Sequence, residues 1–320
     1  MITSLKGILI PLRSTPVNIH PNAQWKQNGI TVAGGNGVGN AKNQLCYPWG
    51  LYIDDDQSVY VTDTSNHRIM KWKPDETSGQ VVAGGNKRGS EIHQLSDPYD
   101  VIIDKDTDSL VICDGSNQRV VRWPRRNGTC GETIISNVHC RSLTMDENGS
   151  LYVTGAGEDK VRRYRRGESQ ETVVAGDNGS GDRLNQLSCT EYVFVDQHHS
   201  VYVSEWKNDR VMKWTEGAKQ GTVVAGGHGR GNGLKQLACP RGVVVDQMGT
   251  VYVADAGNAR IMRWPEGATQ GSVIVGGNGI GGQSNQLHGP VGLSFDRYGN
   301  LYVADNGNHR VQKFNLKYNG

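Results

Sequence analysis

A short strand motif, Val-Tyr-Val-x-Asp or a close relative, recurs six times along this chain and constrains its fold more than any other feature. The copies begin at residues 59, 110, 151, 201, 251 and 301, so successive intervals are 51, 41, 50, 50 and 50 residues. Each copy follows a strand similar to Pro-x-Gly-Val-x-Val-Asp and precedes a turn similar to Asn-x-Arg that leads into an aromatic residue. Spacing of this kind indicates a repeat architecture.

Each unit holds a further β-branched strand, VVAGG or a relative, and a Gly-rich loop ending in Gln-Leu usually follows it. Six units of four short strands predict an all-β fold, a six-bladed β-propeller. Paired βαβ domains would need amphipathic helices, and the sequence shows none of useful length. ITVAGG at residues 30–35 is an unpartnered fourth strand, while the last unit stops after HRVQKF. We therefore expect the N-terminal strand to complete and close the last blade.

The turns NHR at Asn66 and Asn308 and NAR at Asn258, with PRGVVVD from Pro240, resemble the NHL-repeat family of six-bladed propellers. The resemblance covers residues 30–316, which leaves 1–29 as an N-terminal extension and 317–320 as a C-terminal tail. Similar propellers serve as RNA-binding domains, as extracellular sensor or adhesion modules and as a metal-dependent amidating lyase. The resemblance therefore implies a fold more narrowly than a function.

Charge and hydropathy limit the partners. With 34 basic and 32 acidic side chains, electrostatic capture of nucleic acid is not expected. No apolar run approaches the roughly 18 to 20 residues that span a bilayer, so we expect no membrane association. We also expect the domain to be a monomer. The compartment stays open: extracellular if a leader was removed, and cytoplasmic otherwise.

The stretch from Val273 to Pro290 contains a Gly-x-Gly-x-x-Gly pattern at Gly277, Gly279 and Gly282. A dinucleotide site requires a helix after these glycines, whereas QSNQLHGP leads through a proline into another strand. The pattern therefore predicts a turn between blades, and we expect no cofactor.

Residues shared by most units are expected to be structural. The tryptophans predicted to lie in the core between blades are Trp72, Trp123, Trp214 and Trp264. The aspartates predicted to cap the Asn-x-Arg turn are Asp63, Asp114, Asp255 and Asp305. His67 and His309 recur in that turn and are also expected to be structural.

The residue after the Pro position varies instead, and we call these six residues the mouth ring. In blade order they are Trp49, Tyr99, Arg141, Glu191, Arg241 and Val291. One interpretation is a salt-bridge network that neutralises itself. The other is a pocket whose aromatic wall stacks a flat or cationic group while Glu191 and the arginines hold its polar end.

Blade four departs most from the repeat, because its turn reads SEWKNDR. If this turn faces the mouth, Glu205, Trp206 and Lys207 join Glu191 in an acidic and aromatic cluster that binds a ligand. An exposed loop with a chance tryptophan is the alternative. In blade three the Gly-rich loop is missing, which predicts a notch in the rim beside Arg141.

A further ring precedes the Pro position and includes Asp97, His139, Cys189 and Cys239. Zinc accepts such ligands, but the spacing does not show that they converge, so no metal site is expected. A disulfide from Cys189 to Cys239, or two small buried thiols, is favoured instead. Cys130 and Cys140 could also pair, and Cys113 is predicted to lie in the core.

Three functions remain open. The favoured one is a binding module that holds a peptide, glycan or small molecule at the channel mouth. The second is a lyase, hydrolase or condensing enzyme with Glu191 as general acid or base and Arg141 and Arg241 stabilising negative charge. Strictosidine-synthase-like propellers use a carboxylate near the mouth in this way. The third is an RNA-binding domain. Amidating-lyase activity is not expected, because that family carries zinc-binding histidines at the mouth-ring position and this chain has none there.

Overall fold

The computed structural model describes residues 19–168 and 170–317, and in them it shows six four-stranded antiparallel sheets. Residues 1–18 of the predicted extension and 318–320 of the predicted tail lie outside this part. Before the first blade come β1 (Gln24–Trp25) and β2 (Ile30–Gly34). Blades one and two comprise β3 (Pro48–Ile53), β4 (Val59–Asp63), β5 (Arg68–Trp72), β6 (Gln80–Gly84), β7 (Pro98–Asp104), β8 (Ser109–Asp114), β9 (Arg119–Pro124) and β10 (Glu132–Ser136).

Blades three and four comprise β11 (Cys140–Met145), β12 (Leu151–Gly155), β13 (Glu158–Tyr164), β14 (Glu171–Gly176), β15 (Thr190–Val195), β16 (Val201–Glu205), β17 (Arg210–Trp214) and β18 (Thr222–Gly226). Blades five and six comprise β19 (Pro240–Val245), β20 (Val251–Asp255), β21 (Arg260–Trp264), β22 (Ser272–Gly276), β23 (Pro290–Phe295), β24 (Leu301–Asp305) and β25 (Arg310–Phe314), followed by β26 (Leu316–Lys317). Single 3-10 turns span Thr64–Asn66, Gly115–Asn117, Ala256–Asn258 and Asn306–Asn308.

The first strands of the six blades contact one another in order, and β23 of the last blade returns to β3 of the first. These strands therefore line the central channel. The glycine of Pro-x-Gly allows this close approach. A Cβ at Gly242 would lie 2.2 Å from the carbonyl oxygen of Val291 in the next blade. A larger residue here would push the inner strands apart.

The predicted closure is confirmed. Strand β2 pairs antiparallel with β25, with Ile30 opposite Lys313 and Gly34 opposite Arg310. The N-terminal strand thus forms the outer edge of blade six, and the sheet order becomes β2-β25-β24-β23. Joining the two ends of the chain in one blade closes the ring.

The four tryptophans predicted to be structural are at most 2 % exposed, which confirms their place in the core. A glycine packs against the ring face in several blades. A Cβ at Gly79, for example, would lie 2.7 Å from the indole of Trp72. Large apolar surfaces buried in this way contribute most of the favourable free energy of folding.

Five blades share a polar unit that we call the Asp-Asn-Arg staple. In blade one, Asp63 accepts hydrogen bonds from the side chains of Asn66 and Arg68 and from the backbone N–H of Cys46. Arg68 also donates to three carbonyl oxygens of the preceding Gly-rich loop. The acids of the five staples, Asp63, Asp114, Glu205, Asp255 and Asp305, are fully buried. The predicted local role of the four aspartates is confirmed, and it extends to fastening the loop between blades.

Blade three lacks both the staple and the loop. Gly155 stands at the position of the acid, and Lys160 stands at the position of the arginine. A disulfide joins Cys113 of blade two to Cys140 of blade three at this junction, with the Cα atoms 5.3 Å apart. The predicted pairing of Cys130 with Cys140 is therefore wrong, and Cys130 is an exposed thiol. Burial of Cys113 was predicted, but its proximity to Cys140 depends on how the two blades pack.

The described part of the N-terminal extension packs under blades five and six. Trp25 is 1 % exposed, and its indole N–H donates to the carbonyl oxygen of Gly299 at 2.9 Å. Strand β1 also pairs with β26, which places Gln24 opposite Lys317. Ile19, Ala23 and Trp25 thus contribute to the core, although the domain boundary at residue 30 stays a prediction.

In the part of the chain that the structure describes, no helix has the length and apolar character needed to cross a bilayer.

Candidate functional site at the channel mouth

The mouth ring opens on the face that carries the Gly-rich loops. Each inner strand begins at the Pro position, and the antiparallel order of strands brings the staple turns to the same end. The D-x-x-G turns lie on the opposite face. This arrangement places the mouth ring where loops from the different blades converge.

Four members of the mouth ring, from four blades, form one cluster. The rings of Trp49 and Tyr99 meet edge to face, with centroids 5.5 Å apart. The guanidinium of Arg141 lies 4.3 Å from the Trp49 centroid and 4.5 Å from that of Tyr99. The guanidinium of Arg241 lies 4.6 Å from the Trp49 centroid. At these separations each arginine is attracted to the π-face of the indole.

Glu191 pairs with only one of the two arginines by direct contact. Its carboxylate accepts from Nε of Arg141 at 3.2 Å and from Nη2 at 3.4 Å. Both side chains are mostly covered, at 19 % and 13 % exposure. The predicted Arg-Glu network is therefore present between blades three and four, in a partly desolvated setting that strengthens it.

Arg241 makes no hydrogen bond or salt bridge to any residue that the structure describes. Its Nε is buried without a partner, as is the indole Nε1 of Trp49. Burial lowers the pKa of the Arg241 guanidinium; the charge of Glu191 opposes this shift, and that of Arg141 adds to it. Nε of Arg241 is thus a buried donor without an acceptor among the described residues, as is Nε of Arg122.

A floor closes the channel below the mouth ring. Tyr192 is 1 % exposed and reaches across toward blade six, where a Cβ at Gly292 would lie 3.0 Å from its hydroxyl oxygen. Asp100 is fully buried and accepts from the hydroxyl of Ser142 at 2.8 Å and from the N–H of Leu143 at 3.2 Å. Buried polar side chains therefore lie next to the mouth ring.

Sequence reasoning missed this floor. Asp100, Ser142 and Tyr192 occupy the position that is glycine in the other three blades. The replacement of glycine at this position in three neighbouring blades is the sequence feature that identifies them.

The predicted ligand-facing role of Glu205 is wrong. Glu205 is fully buried and accepts from Arg210, from Asn208 and from the backbone N–H of Ser188. These are the contacts that Asp255 makes in blade five. Glutamate simply replaces aspartate in the staple of blade four, so its carboxylate is not available to a ligand.

Trp206 and Lys207 lie on the surface of the same turn, and Trp206 is 39 % exposed. The backbone N–H of Trp206 donates to the carbonyl oxygen of Cys189. Within residues 19–168 and 170–317, no aromatic contact or hydrogen bond joins its indole to the mouth ring. The predicted cluster of blade four is thus split into a buried acid and two exposed neighbours of the mouth.

The ring that precedes the Pro position does not assemble a metal site. Asp97 is paired with Arg88 at 3.2 Å, and Sγ of Cys239 accepts from Arg230. His139 and Cys189 are exposed. Among the described residues, no group of three or more His, Cys, Asp or Glu side chains could hold a metal ion. Cys189 and Cys239 are free thiols, so the alternative disulfide between them is wrong.

This ring instead fastens neighbouring blades together. The backbone N–H of Tyr47 donates to Nδ1 of His309 at 3.2 Å, and that of Asp97 donates to Nδ1 of His67 at 3.1 Å. In other blades the acceptor is a carboxylate, as where Asp209 receives the N–H of Cys239. The predicted structural role of the two histidines is confirmed.

Grooves also lie away from the mouth ring, at the junctions between blades. A groove of about 600 Å³ between β2 and blade one is lined in part by Thr31 and Trp72. A smaller one, of about 290 Å³, lies between blades three and four beside Thr172 and Trp214. Because equivalent residues line both, we attribute them to the shape of the junction between blades.

A β-propeller of six four-stranded blades is thus the class that the fold defines. The NHL repeat family model matches residues 45–72, 237–264 and 287–314, which belong to blades one, five and six. The chain is a six-bladed β-propeller that carries NHL repeats in three of its blades. Blades two to four lie outside these matches and share the same strand arrangement.

Solved structures with this fold have varied functions. An auxiliary nutrient binding protein from Bacteroides thetaiotaomicron aligns with a TM-score of 0.70 at 16% identity, over 94% of this chain and 79% of that one. A gluconolactonase from Xanthomonas campestris gives 0.64 at 12%, over 96% and 100%. Virginiamycin B lyase from Staphylococcus aureus, with quinupristin, gives 0.59 at 11%, over 92% and 100%. Similarity at these identities shows the fold alone.

Proposed function

We propose that this propeller is a binding module that holds a peptide, glycan or small molecule at the channel mouth. One observation carries the proposal. Side chains from four blades, at a position that the repeat does not fix, meet in the cluster of Trp49, Tyr99, Arg141 and Arg241. A cluster of aromatic and arginine side chains is the composition typical of binding hot spots.

The repeated polar groups on this face are not available for recognition. The staples use their acids and arginines in buried hydrogen bonds, and His67 and His309 accept backbone N–H groups. Recognition therefore falls to positions that differ between blades. A ligand long enough to extend from the mouth across blade four would reach Trp206 and Lys207.

Binding is favoured over catalysis by the contacts of Glu191. As a general acid or base it would have to exchange protons while both its oxygens accept from Arg141. In a binding site the same ion pair holds Arg141 beside the two aromatic rings. The structural neighbours include both a nutrient-binding protein and enzymes, so they are compatible with either function. RNA binding remains disfavoured by the near-neutral charge.

The test is an indole N–H spectrum of ¹⁵N-labelled protein, which resolves a signal for each of its seven tryptophans. The Trp49 and Trp206 signals are assigned with Trp49→Phe and Trp206→Phe. A library of neutral, cationic and anionic fragments is then added. The proposal expects hits to concentrate on the Trp49 signal. Hits confined to Trp72 or Trp214, which line the grooves between blades, would contradict it.

A further inference from the structure

The side chain of Arg241 has no hydrogen-bond acceptor among the described residues, and this indicates the charge of the ligand. Its guanidinium makes no hydrogen bond or salt bridge to any residue that the structure describes, and its Nε is covered. The staple arginines show how a covered arginine of this protein is fully paired. Arg260, in the same blade, donates to Asp255 and to the carbonyl oxygens of residues 232, 233 and 236. Arg241 has none of these acceptors.

The nearby carboxylates do not fill this gap. Glu191 is engaged by both Nε and Nη2 of Arg141. Asp100, in the floor, accepts from Ser142 and from backbone N–H groups of Val101 and Leu143. A covered guanidinium without an acceptor is destabilising unless an anion completes it.

A second donor lies beside the first. The indole Nε1 of Trp49 is covered and has no partner among the described residues, and the guanidinium of Arg241 lies 4.6 Å from the centroid of its ring. Trp49 and Arg241 come from blades one and five, so the fold brings together two donors that are distant in sequence. Val291, between them in the ring, is fully buried and apolar.

We propose that the mouth ring binds a carboxylate, with Arg241 and the Trp49 indole N–H as donors. This inference rests on the proposed binding function and specifies its ligand class. The planar fork of a guanidinium matches a carboxylate, which can accept two parallel N–H bonds. A single guanidinium without an acceptor matches one negative charge better than the nearly double charge of a phosphate monoester. The flat faces of Trp49 and Tyr99 then contact the body of the ligand.

The carboxylate has two possible sources: a free organic or sugar acid, or the terminus of a peptide chain. Acetate tests the shared chemistry. Glucuronate represents the sugar acids, and an N-acetylated tripeptide with a free terminus represents the peptides. Acetamide and the amidated tripeptide are the neutral counterparts. Tighter binding of either acid assigns the source and supports the inference.

The experiment follows the Trp49 indole signal during titration of wild-type protein, Arg241→Gln and Arg297→Gln. Arg297 is exposed on the opposite face, so its variant carries the same change of charge away from the mouth. We expect saturable shifts with the acids. We also expect affinity to fall at least about tenfold in Arg241→Gln, since hydrogen bonds to a charged group are lost, and to be unchanged in Arg297→Gln.

Several results would overturn the inference. Equal binding of acetate and acetamide would show that the site does not require a carboxylate. Equal affinity of Arg241→Gln and wild type for the acids would show that Arg241 does not bind them. An equal loss in Arg297→Gln reduces the effect to net charge. If no acid shifts Trp49 while neutral fragments do, the carboxylate assignment fails and the binding function stands. If no fragment shifts it either, both fail.

Discussion

Two arginines of blade five, Arg260 and Arg241, differ in their position in the fold and in their hydrogen bonds. Arg260 lies in the staple with its side chain 8 % exposed, bonded to one carboxylate and three backbone carbonyls. Arg241 lies in the mouth ring, covered, and without an acceptor among the described residues. A covered charge that is fully paired holds the fold together. One that is left unpaired lowers stability, and binding of an anion would offset that cost.

The largest effect should come from breaking a staple. Asp255→Ala leaves the Arg260 charge covered without its carboxylate and leaves the backbone N–H of Ala238 without its acceptor. We expect a loss of about 3 to 5 kcal/mol in the free energy of unfolding, measured by urea denaturation. Asp182→Ala, at an exposed position, should change it by less than about 0.5 kcal/mol. Equal effects of the two substitutions would show that the staple is not a stabilising unit.

The next largest effect concerns the junction that has a disulfide in place of a staple. The double variant Cys113→Ala, Cys140→Ala should lose about 2 to 4 kcal/mol, because the cross-link restricts the unfolded chain. A thiol titration of unreduced, denatured protein should count four free cysteines. Six free thiols would show that the disulfide does not form. A double variant as stable as wild type would show that the disulfide does not stabilise this junction.

A smaller effect should follow pH at His309. Burial, and next the charge of His288, lower the pKa of His309 below its ordinary value of 6.5. Its stabilising contribution is therefore present above pH 6.5 and is lost as the pH falls through the lowered value. Protonation at Nδ1 would also remove the acceptor for the Tyr47 N–H.

The matched variant is His309→Asn, which keeps an acceptor and tolerates the φ of 52° at this position. We expect the difference in unfolding free energy between pH 7.5 and pH 5 to be smaller in the variant than in wild type. The same difference in both proteins would show that His309 does not contribute to the pH dependence.

The smallest effect should come from Trp206→Ala, because its side chain is half-exposed and no described residue holds the indole by a hydrogen bond. We expect the unfolding free energy to change by less than about 0.5 kcal/mol. A ligand that extends over blade four should nevertheless bind less tightly, which titration calorimetry would measure. A substantial loss of stability would instead assign Trp206 to the core.

The repeat in the sequence was sufficient to predict the blades, their order and the closing strand, because one residue period determines both burial and pairing. It also separated Trp72, which is shared, from Trp49, which is not. What it could not supply was the pairing of side chains between blades. Cys113 meets Cys140 through packing that the spacing does not encode. The mouth ring was predicted as a set, but the difference between Arg141 and Arg241 appears only in their contacts.

The most direct test of the account compares Arg241→Gln with Arg260→Gln in the unfolding free energy of the ligand-free protein. The account predicts a loss of about 3 to 5 kcal/mol for Arg260→Gln, because a buried ion pair is broken. It predicts no loss, or a small gain, for Arg241→Gln, because a covered charge without an acceptor is removed. An equal loss in the two variants would contradict it and would make Arg241 a structural residue.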